Sequence, residues 1–441
     1  MVTAYLSIRR GHDFQRGLRP RYPEPLPAPP APPRLPWRVS PDRRRILDAA
    51  GQPVLLQGDA AWSLIANTTL EGARHYLEDR RRLGFNFLIV SLIESTFSQD
   101  PPRNRAGDEP FTTPGDFRTP NEAYMAHAER VLEIAAEQGQ VIMLHPAYLG
   151  YPALRLVEGW YEEVLANGVD GCRAWGEYLG TRFARFDNIV WSMGGDRNPG
   201  PAAAPLDALA RGIKAAGGQH LFSAHVLPEH SPLEQFPGAD WLDLNPTYTY
   251  ETVHAMLEAD WRRDPAHPFW LVETIYEGEH NASDLQIRRQ AYWSVLCGGN
   301  GHCMGNAPLW YFGEDWEGAL DLPASVAMAR WGAFFRRLPW AELVPDLERR
   351  HLTGGLGEAR GLDRATAAAT PDGRLLVAYT PAQRMLAVET AGLAGPALRV
   401  DWFEPATGHR VDGGTLLARG AARLVPPFAE DAVLTLTSAP A

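Results

Sequence analysis

Along residues 37–337, short apolar runs rich in β-branched and aromatic residues alternate with stretches whose apolar positions recur at helical spacing. Eight such alternations over roughly 300 residues are what a (β/α)₈ TIM barrel requires. The pattern predicts strands at 54–57, 87–93, 141–144, 189–191, 220–224, 241–244, 269–272 and 301–304, and helices at 70–83, 121–137, 171–185, 206–216, 252–262, 285–296 and 324–337.

The pattern changes at both ends of this region. Residues 19–36 hold nine prolines and little to bury, which predicts a disordered lead over 1–36. The barrel is then expected over 37–340. Residues 341–441 show short strands separated by turn residues, which predicts a small antiparallel β-sandwich domain. A doubly wound sheet is the alternative to the barrel, but no GxGxxG phosphate loop follows the first strand.

Composition limits the partners. A net charge of −11 argues against nucleic acid or an anionic membrane as a partner, because both need clustered positive charge. The three cysteines, Cys172, Cys297 and Cys303, form no CxxC pair, so neither a disulfide framework nor a zinc cluster is expected. No cofactor motif appears, so we expect neither a cofactor nor a metal. No signal-peptide pattern opens the chain, which favours the cytoplasm. The oligomeric state is not indicated.

Polar or aromatic residues follow each predicted strand, where a barrel carries its chemistry. Any one of them alone could equally be a turn residue, a buried histidine or a packing aromatic. Together they predict a carbohydrate site. They are Asp59 and Trp62; Glu94; His145 and Tyr148; Asp196, Arg197 and Asn198; His225; Asn245 and Tyr248; Glu273 and Tyr276; and His302, Asn306 and Trp310, for strands one to eight.

Two carboxylates stand out in this ring. Asp196 follows the apolar run 189–191 and a Gly-Gly turn, and Glu273 ends the seventh strand, which faces the fourth across a closed barrel mouth. Hydrolysis of a glycosidic bond needs one carboxyl group to protonate the leaving oxygen and a second to attack the anomeric carbon or to activate water. We therefore predict that Asp196 and Glu273 are catalytic and that the other strand-end residues bind sugar. The alternatives are a helix cap for Asp196 and a buried ion pair for Glu273, with an arginine such as Arg197.

Three segments resemble the apiosidase-like barrel glycoside hydrolases. They are Gln-Gly-Asp-Ala-Ala-Trp at 57–62, Asn-Ile-Val-Trp-Ser-Met-Gly-Gly-Asp-Arg-Asn-Pro at 188–199, and Arg-Arg-Gln-Ala-Tyr-Trp at 288–293 with Gly-His and Gly-Asn at 301–302 and 305–306. The resemblance implies a retaining double displacement on a plant or microbial oligosaccharide, with Asp196 as acid/base and Glu273 as nucleophile. The C-terminal stretch resembles the β-domain often attached to these enzymes and named for collagen binding.

Two other functions remain open at this point. One is a metal-dependent barrel hydrolase that uses His145, His225, His302 and Asp196 as ligands, although such barrels usually place a His-x-His pair after the first strand. The other is a carbohydrate-binding scaffold without catalysis.

Overall fold

The computed structural model of the protein describes residues 25–152 and 158–438. Two short antiparallel strands, β1 and β2 (Arg38–Val39 and Ile46–Leu47), precede eight parallel strands that form a barrel. The barrel strands are β3 (Leu56–Ala60), β4 (Phe87–Ser91), β5 (Val141–His145), β6 (Ile189–Gly194), β7 (Leu221–His225), β8 (Thr247–Tyr248), β9 (Leu271–Glu273) and β10 (Gly301–Met304).

The barrel is closed between its first and eighth strands, β3 and β10, and nearly closed between its fifth and sixth, β7 and β8. Strands are ordered β7-β6-β5-β4-β3-β10-β9-β8, so β10 pairs in parallel with β3. Between β7 and β8 the link is made by the segment before β8, whose Asp243 and Leu244 N–H groups both donate to the Phe222 carbonyl. The predicted TIM barrel is confirmed.

Helices follow the strands and cover the outside of the barrel. Thr69 caps the second helix through its side chain, which accepts a hydrogen bond from the Gly72 N–H, and Asn121 caps the third in the same way through Ala123. The helices are α1 (Leu64–Asn67), α2 (Leu70–Arg82), α3 (Glu122–Glu137), α4 (Tyr161–Phe183), α5 (Ala203–Ala215), α6 (Pro232–Gln235), α7 (Val253–Trp261), α8 (Asp284–Leu296) and α9 (Pro323–Arg336).

Side chains alternate between the two faces of each barrel strand. Met143 and Val190 belong to the cluster that fills the barrel interior, whereas their neighbours Leu144 and Trp191 pack outside, against the helices. This alternation decides which strand residues can reach the mouth of the barrel. No helix in the described ranges is both long and apolar enough to cross a bilayer.

Antiparallel sheets follow the barrel, as predicted. A six-stranded sheet, ordered β11-β13-β14-β19-β16-β17, and a three-stranded sheet, ordered β12-β15-β18, share one apolar core. Their strands are β11 (Val344–Pro345), β12 (Leu352–Gly354), β13 (Thr366–Ala369), β14 (Leu375–Thr380), β15 (Leu386–Glu389), β16 (Ala397–Phe403), β17 (Arg410–Leu417), β18 (Ala421–Leu424) and β19 (Ala432–Ser438).

The larger sheet is packed on the barrel helices. Tyr292 of α8 stacks on Tyr379 of β14 with ring centroids 4.7 Å apart, and Phe334 of α9 stacks on Phe403 of β16 at 4.9 Å. Arg288 of α8 completes the contact through a buried ion pair with the C-terminal region.

Three expectations about the order of elements need correction. The first barrel strand begins at Leu56 and not at residue 54, so Asp59 lies within the strand and not after it. The sixth strand is Thr247–Tyr248, because Trp241 and Leu242 of the predicted strand pack in the outer core and only the N–H groups of Asp243 and Leu244 bond to β7. Of the proline-rich lead, residues 1–24 lie outside the described residues. Residues 25–36 form no helix or strand and lie against the barrel, where the Pro30 carbonyl accepts a hydrogen bond from Arg81.

Candidate active site

Asp196 projects from a tight turn at the end of β6. Gly195 has φ 134° and Asp196 has φ 49°, and the Gly195 N–H donates to the His225 carbonyl at 2.7 Å. A Cβ atom on Gly195 would stand 2.3 Å from the Tyr148 ring, so only glycine allows this approach. The close packing lets the Tyr148 hydroxyl donate to Asp196 Oδ2 at 2.8 Å.

Glu273 is held in a similar way on the opposite side of the barrel mouth. It is the last residue of β9, and its Oε1 accepts a hydrogen bond from the Tyr276 hydroxyl at 2.7 Å. The indole N–H of Trp62 in turn donates to the Tyr276 oxygen at 3.2 Å. Each carboxylate therefore has at least one tyrosine donor that favours its ionised form.

His225 lies between the two carboxylates. Its Nε2 is 3.3 Å from Asp196 Oδ1 and 3.2 Å from Glu273 Oε2. One donor atom from each of the three residues lies within 4.8 Å of the others, and all three side chains are buried. Burial, and then the neighbouring His145, hold the pKa of His225 well below its usual range, so its ring is neutral at physiological pH.

Burial raises the pKa of both carboxyl groups. The pKa of Asp196 rises to about 6, although the hydroxyls of Tyr148 and Tyr248 oppose the shift. The pKa of Glu273 rises well above its usual range, first through burial and then through the charge of Asp196. Two close carboxyl groups that both resist ionisation favour a shared proton over two negative charges.

These groups open into a cleft of about 420 Å³ at the barrel mouth. Glu94 shapes one wall, because its Oε1 accepts hydrogen bonds from the N–H groups of Ser95, Thr96 and Phe97 at 2.9–3.0 Å. The residues that line the cleft are Trp62, Ser91, Glu94, Phe97, Tyr148, Asp196, Tyr250, Glu273, Tyr276, Glu279 and Trp310.

Seven of the predicted site residues thus line one cleft: both carboxylates, Glu94, and the aromatics Trp62, Tyr148, Tyr276 and Trp310. Three more support it from the barrel interior. His145 lies 4.7 Å from Trp62 between ring centroids, and His225 lies at the same distance from Tyr248. Burial lowers the pKa of His145 to about 3, so it too is neutral.

Three predicted residues face away from the cleft, into the layer between strands and helices. Asp59 accepts hydrogen bonds from Tyr76 at 2.7 Å and from Arg80 at 3.2 Å, both on α2. His302 precedes Cys303, which belongs to the interior cluster, so alternation places His302 on the outer face. Asn306 donates to the Ser325 hydroxyl of α9 at 3.3 Å.

Three others act within the loops at the barrel mouth. The Arg197 guanidinium lies 3.9 Å from the centroid of the Tyr161 ring, and Asn198 Oδ1 accepts from the Leu227 N–H at 3.3 Å. Asn245 precedes β8 and bridges Ser231 and Asp260. The interpretations of Asp59, His302, Asn306, Arg197, Asn198 and Asn245 as sugar-binding residues have no support in these contacts.

Four cleft residues were not predicted from the sequence. Ser91 was discoverable, because it shares the inward face of β4 with Phe87 and Ile89. Tyr250 stands two residues after Tyr248 in an extended segment, and the two hydroxyls lie 3.2 Å apart. Phe97 and Glu279 come from irregular loops, where the sequence gives no spacing signal.

The same three groups could also ligate a metal ion, since Asp196, His225 and Glu273 offer two carboxylates and an imidazole. The ligand set considered from the sequence, His145, His225, His302 and Asp196, is not assembled, because His302 faces the helices. Two carboxylates at one mouth, each with a tyrosine donor, and a surrounding aromatic wall match acid/base and nucleophilic chemistry on a sugar.

Comparison with known proteins agrees with this chemistry. Residues 40–342 match the family model described as "Apiosidase-like, catalytic domain", and residues 356–437 match "Putative collagen-binding domain of a collagenase". A solved glycoside hydrolase superposes with a TM-score of 0.81 at 24% identity, covering 92% of this chain and 99% of that one. A glycoside hydrolase family 5 structure from Bacteroides vulgatus superposes with a TM-score of 0.80 at 22% identity, covering 91% and 93%. No curated protein matches the chain.

Proposed function

Because the chain belongs to the apiosidase-like family of glycoside hydrolases, we propose that it cleaves a plant or microbial oligosaccharide with retention of configuration, through Asp196 and Glu273. The single observation that carries the proposal is the proximity of these carboxylates, with one oxygen of each within 4.8 Å of the other. Retaining enzymes separate their carboxyl groups by about 5–5.5 Å, whereas inverting enzymes leave about 6.5–9.5 Å for a water molecule.

In the first step Glu273 attacks the anomeric carbon while Asp196 gives its proton to the leaving glycosidic oxygen. A covalent glycosyl ester on Glu273 results. In the second step Asp196 takes a proton from water, the water attacks the anomeric carbon, and the ester bond to Glu273 breaks. The first step needs the protonation state in which Asp196 carries the proton and Glu273 is ionised.

The tyrosines help each carboxylate to carry charge when its role requires it. Tyr276 donates to Glu273 and supports the ionised nucleophile, and Tyr148 donates to Asp196 and supports the ionised base of the second step. His225, neutral and beside both carboxyl groups, adds no charge that would hold both of them ionised. Trp62 and Trp310 offer aromatic faces for the sugar ring.

A screen of aryl glycosides, with apiosides and arabinofuranosides included, tests the proposed activity. We expect turnover of at least one glycoside, and a loss of kcat/KM of about 10³-fold or more in Asp196→Asn and in Glu273→Gln. Asp187→Asn is the matched control, because Asp187 is exposed at the opposite end of the same strand. Unchanged turnover in both site variants would refute the assignment.

Reaction of the variants with azide distinguishes the nucleophile from the acid/base residue. With Glu273→Ala, azide can replace the nucleophile and should yield a glycosyl azide of inverted configuration. With Asp196→Ala, it should attack the glycosyl ester and yield a retained azide. The reverse pattern would exchange the roles of the two residues.

A further inference from the structure

The cleft contains more carboxyl groups than the two that a retaining mechanism uses. Glu94 and Glu279 line it together with the catalytic pair, and no lysine or arginine lines it among the described residues. Arg197, which follows Asp196 in the chain, is directed onto the Tyr161 ring and does not offset this charge. Among the residues that the structure describes, a ligand in the cleft therefore meets carboxylates without a compensating cation.

A fifth carboxyl group adds to this field from behind the wall. Glu158 is buried, and its Oε2 accepts a hydrogen bond from the Tyr151 N–H at 3.3 Å. Burial, and then the charges of Asp196 and Glu94, raise the pKa of Glu158 to about 7. Glu273 Oε2 is buried at the cleft and accepts no hydrogen bond from any described residue.

Glu279 is placed at the cleft by a strained loop. Three residues beside it have left-handed backbone conformations: Gly278 with φ 84°, His280 with φ 46° and Asn281 with φ 62°. Such conformations cost energy in non-glycine residues and recur where a loop holds a ligand-binding group. Burial raises the pKa of Glu279 to about 7, and a hydrogen bond from the backbone of Tyr276 opposes part of this rise.

The rest of the lining is aromatic. Trp62, Tyr250, Tyr276 and Trp310 present rings to the same space. Aromatic faces attract cations and pack against the apolar faces of uncharged sugars, whereas they offer little to an anion. The aromatic rings and the carboxylates thus both favour cationic or uncharged ligands over anionic ones.

We propose that this cleft accepts glycones that are uncharged or carry an amine and rejects glycones that carry a carboxylate or a sulfate. Glu279 is the residue outside the catalytic pair that sets this preference. The inference rests on the proposed function for its reference to glycones, but the charge preference itself is a binding property. It can therefore be measured without turnover.

Three polyols of nearly the same shape probe the preference: protonated tris(hydroxymethyl)aminomethane, neutral pentaerythritol and the anion 2,2-bis(hydroxymethyl)propionate. Binding to the full-length protein is followed by tryptophan fluorescence at pH 7 and constant ionic strength, since Trp62 and Trp310 line the cleft. We expect affinity to fall from the cation to the neutral polyol to the anion, with about tenfold or more between the extremes.

Variants test whether the charge of Glu279 sets the preference for cationic over anionic ligands. Glu279→Gln should reduce the ratio of cation to anion affinity by several-fold, whereas Glu314→Gln, an exposed acid on another loop, should leave the ratio unchanged. Equal or tighter binding of the anion by the wild type would overturn the inference, as would an unchanged ratio in Glu279→Gln.

Different outcomes refute the proposed glycosidase activity and the proposed charge preference. If no aryl glycoside is turned over while the cation is still preferred, glycosidase activity is refuted and the charge preference stands. If glucuronides or galacturonides are turned over as fast as the matching neutral glycosides, the activity stands and the preference is refuted.

Discussion

At the scale of single residues, the site depends on pairing each buried carboxylate with a tyrosine hydroxyl. The Tyr148 hydroxyl donates a hydrogen bond to Asp196, and the Tyr276 hydroxyl donates one to Glu273. Burial alone would keep both groups protonated, and two protons would leave no nucleophile. A hydrogen bond to a charged group is worth about 1.5–3 kcal/mol, enough to move a pKa by about one unit or more.

The pH dependence of kcat/KM follows from this balance. Activity needs one proton on the pair, so it should rise as the pair loses its first proton, at a pH near 6, and fall at higher pH as the pair loses its second proton. Tyr148→Phe removes a hydrogen bond that lowers the pKa of Asp196, so the acidic limb should move up by about one pH unit. Tyr178→Phe, whose hydroxyl contacts Glu122 on the barrel exterior, is the control. An acidic limb that stays in place in Tyr148→Phe would contradict the proposed pairing.

The same buried charge should cost stability. The pKa of Glu273 is raised in the folded protein, so the ionised group destabilises the fold above that pKa, and the penalty disappears as pH falls toward the unfolded value of about 4.3. Glu273→Gln should therefore raise Tm by about a few degrees at pH 8 and by less at pH 5, as measured by calorimetry. A variant that is less stable at pH 8 would show that Glu273 contributes to the fold through contacts other than its charge.

At the scale of elements, the connection between barrel and C-terminal sheets is concentrated on α8. Arg288 is buried there and donates to Asp431, with Nε to Oδ2 at 2.9 Å, and Tyr379 also donates to Asp431. The charge of Asp431 raises the pKa of Arg288, so the guanidinium stays charged although it is out of water. One helix residue thus anchors the last strand of the chain to the barrel.

Replacing Arg288 tests this anchor. Arg288→Met leaves Asp431 buried without its cation and should lower the free energy of unfolding by about 3–5 kcal/mol in urea titrations. Arg289→Met, at the next position of α8, removes a less buried guanidinium and should cost much less. Equal losses in the two variants would mean that the ion pair has no special role.

The elements were more predictable than the directions of their side chains. Helices at 70–83, 121–137 and 285–296 were found within one residue, because their apolar spacing and their capping residues are local signals. A shift of two residues at the start of the first barrel strand nevertheless reversed the interpretation of Asp59. Its position within β3 turns it toward Arg80, and only the strand register, a long-range property, reveals this.

At the scale of the whole molecule, the order of strands is what brings Asp196 and Glu273 together from distant parts of the sequence. The fourth-strand and seventh-strand carboxylates could be predicted from that order alone. Loop residues such as Glu279 could not, since an irregular backbone has no periodic signature in the sequence. The charge of −11 and the acidic cleft point the same way, toward a partner without negative charge.

The stereochemistry of the first product tests the central claim most directly. A glycoside found in the aryl glycoside screen is hydrolysed in an NMR tube, and the anomeric proton of the first sugar released is recorded before mutarotation. The proximity of Asp196 and Glu273 predicts a product with the configuration of the substrate. A first product of inverted configuration would contradict the proposed double displacement through Glu273.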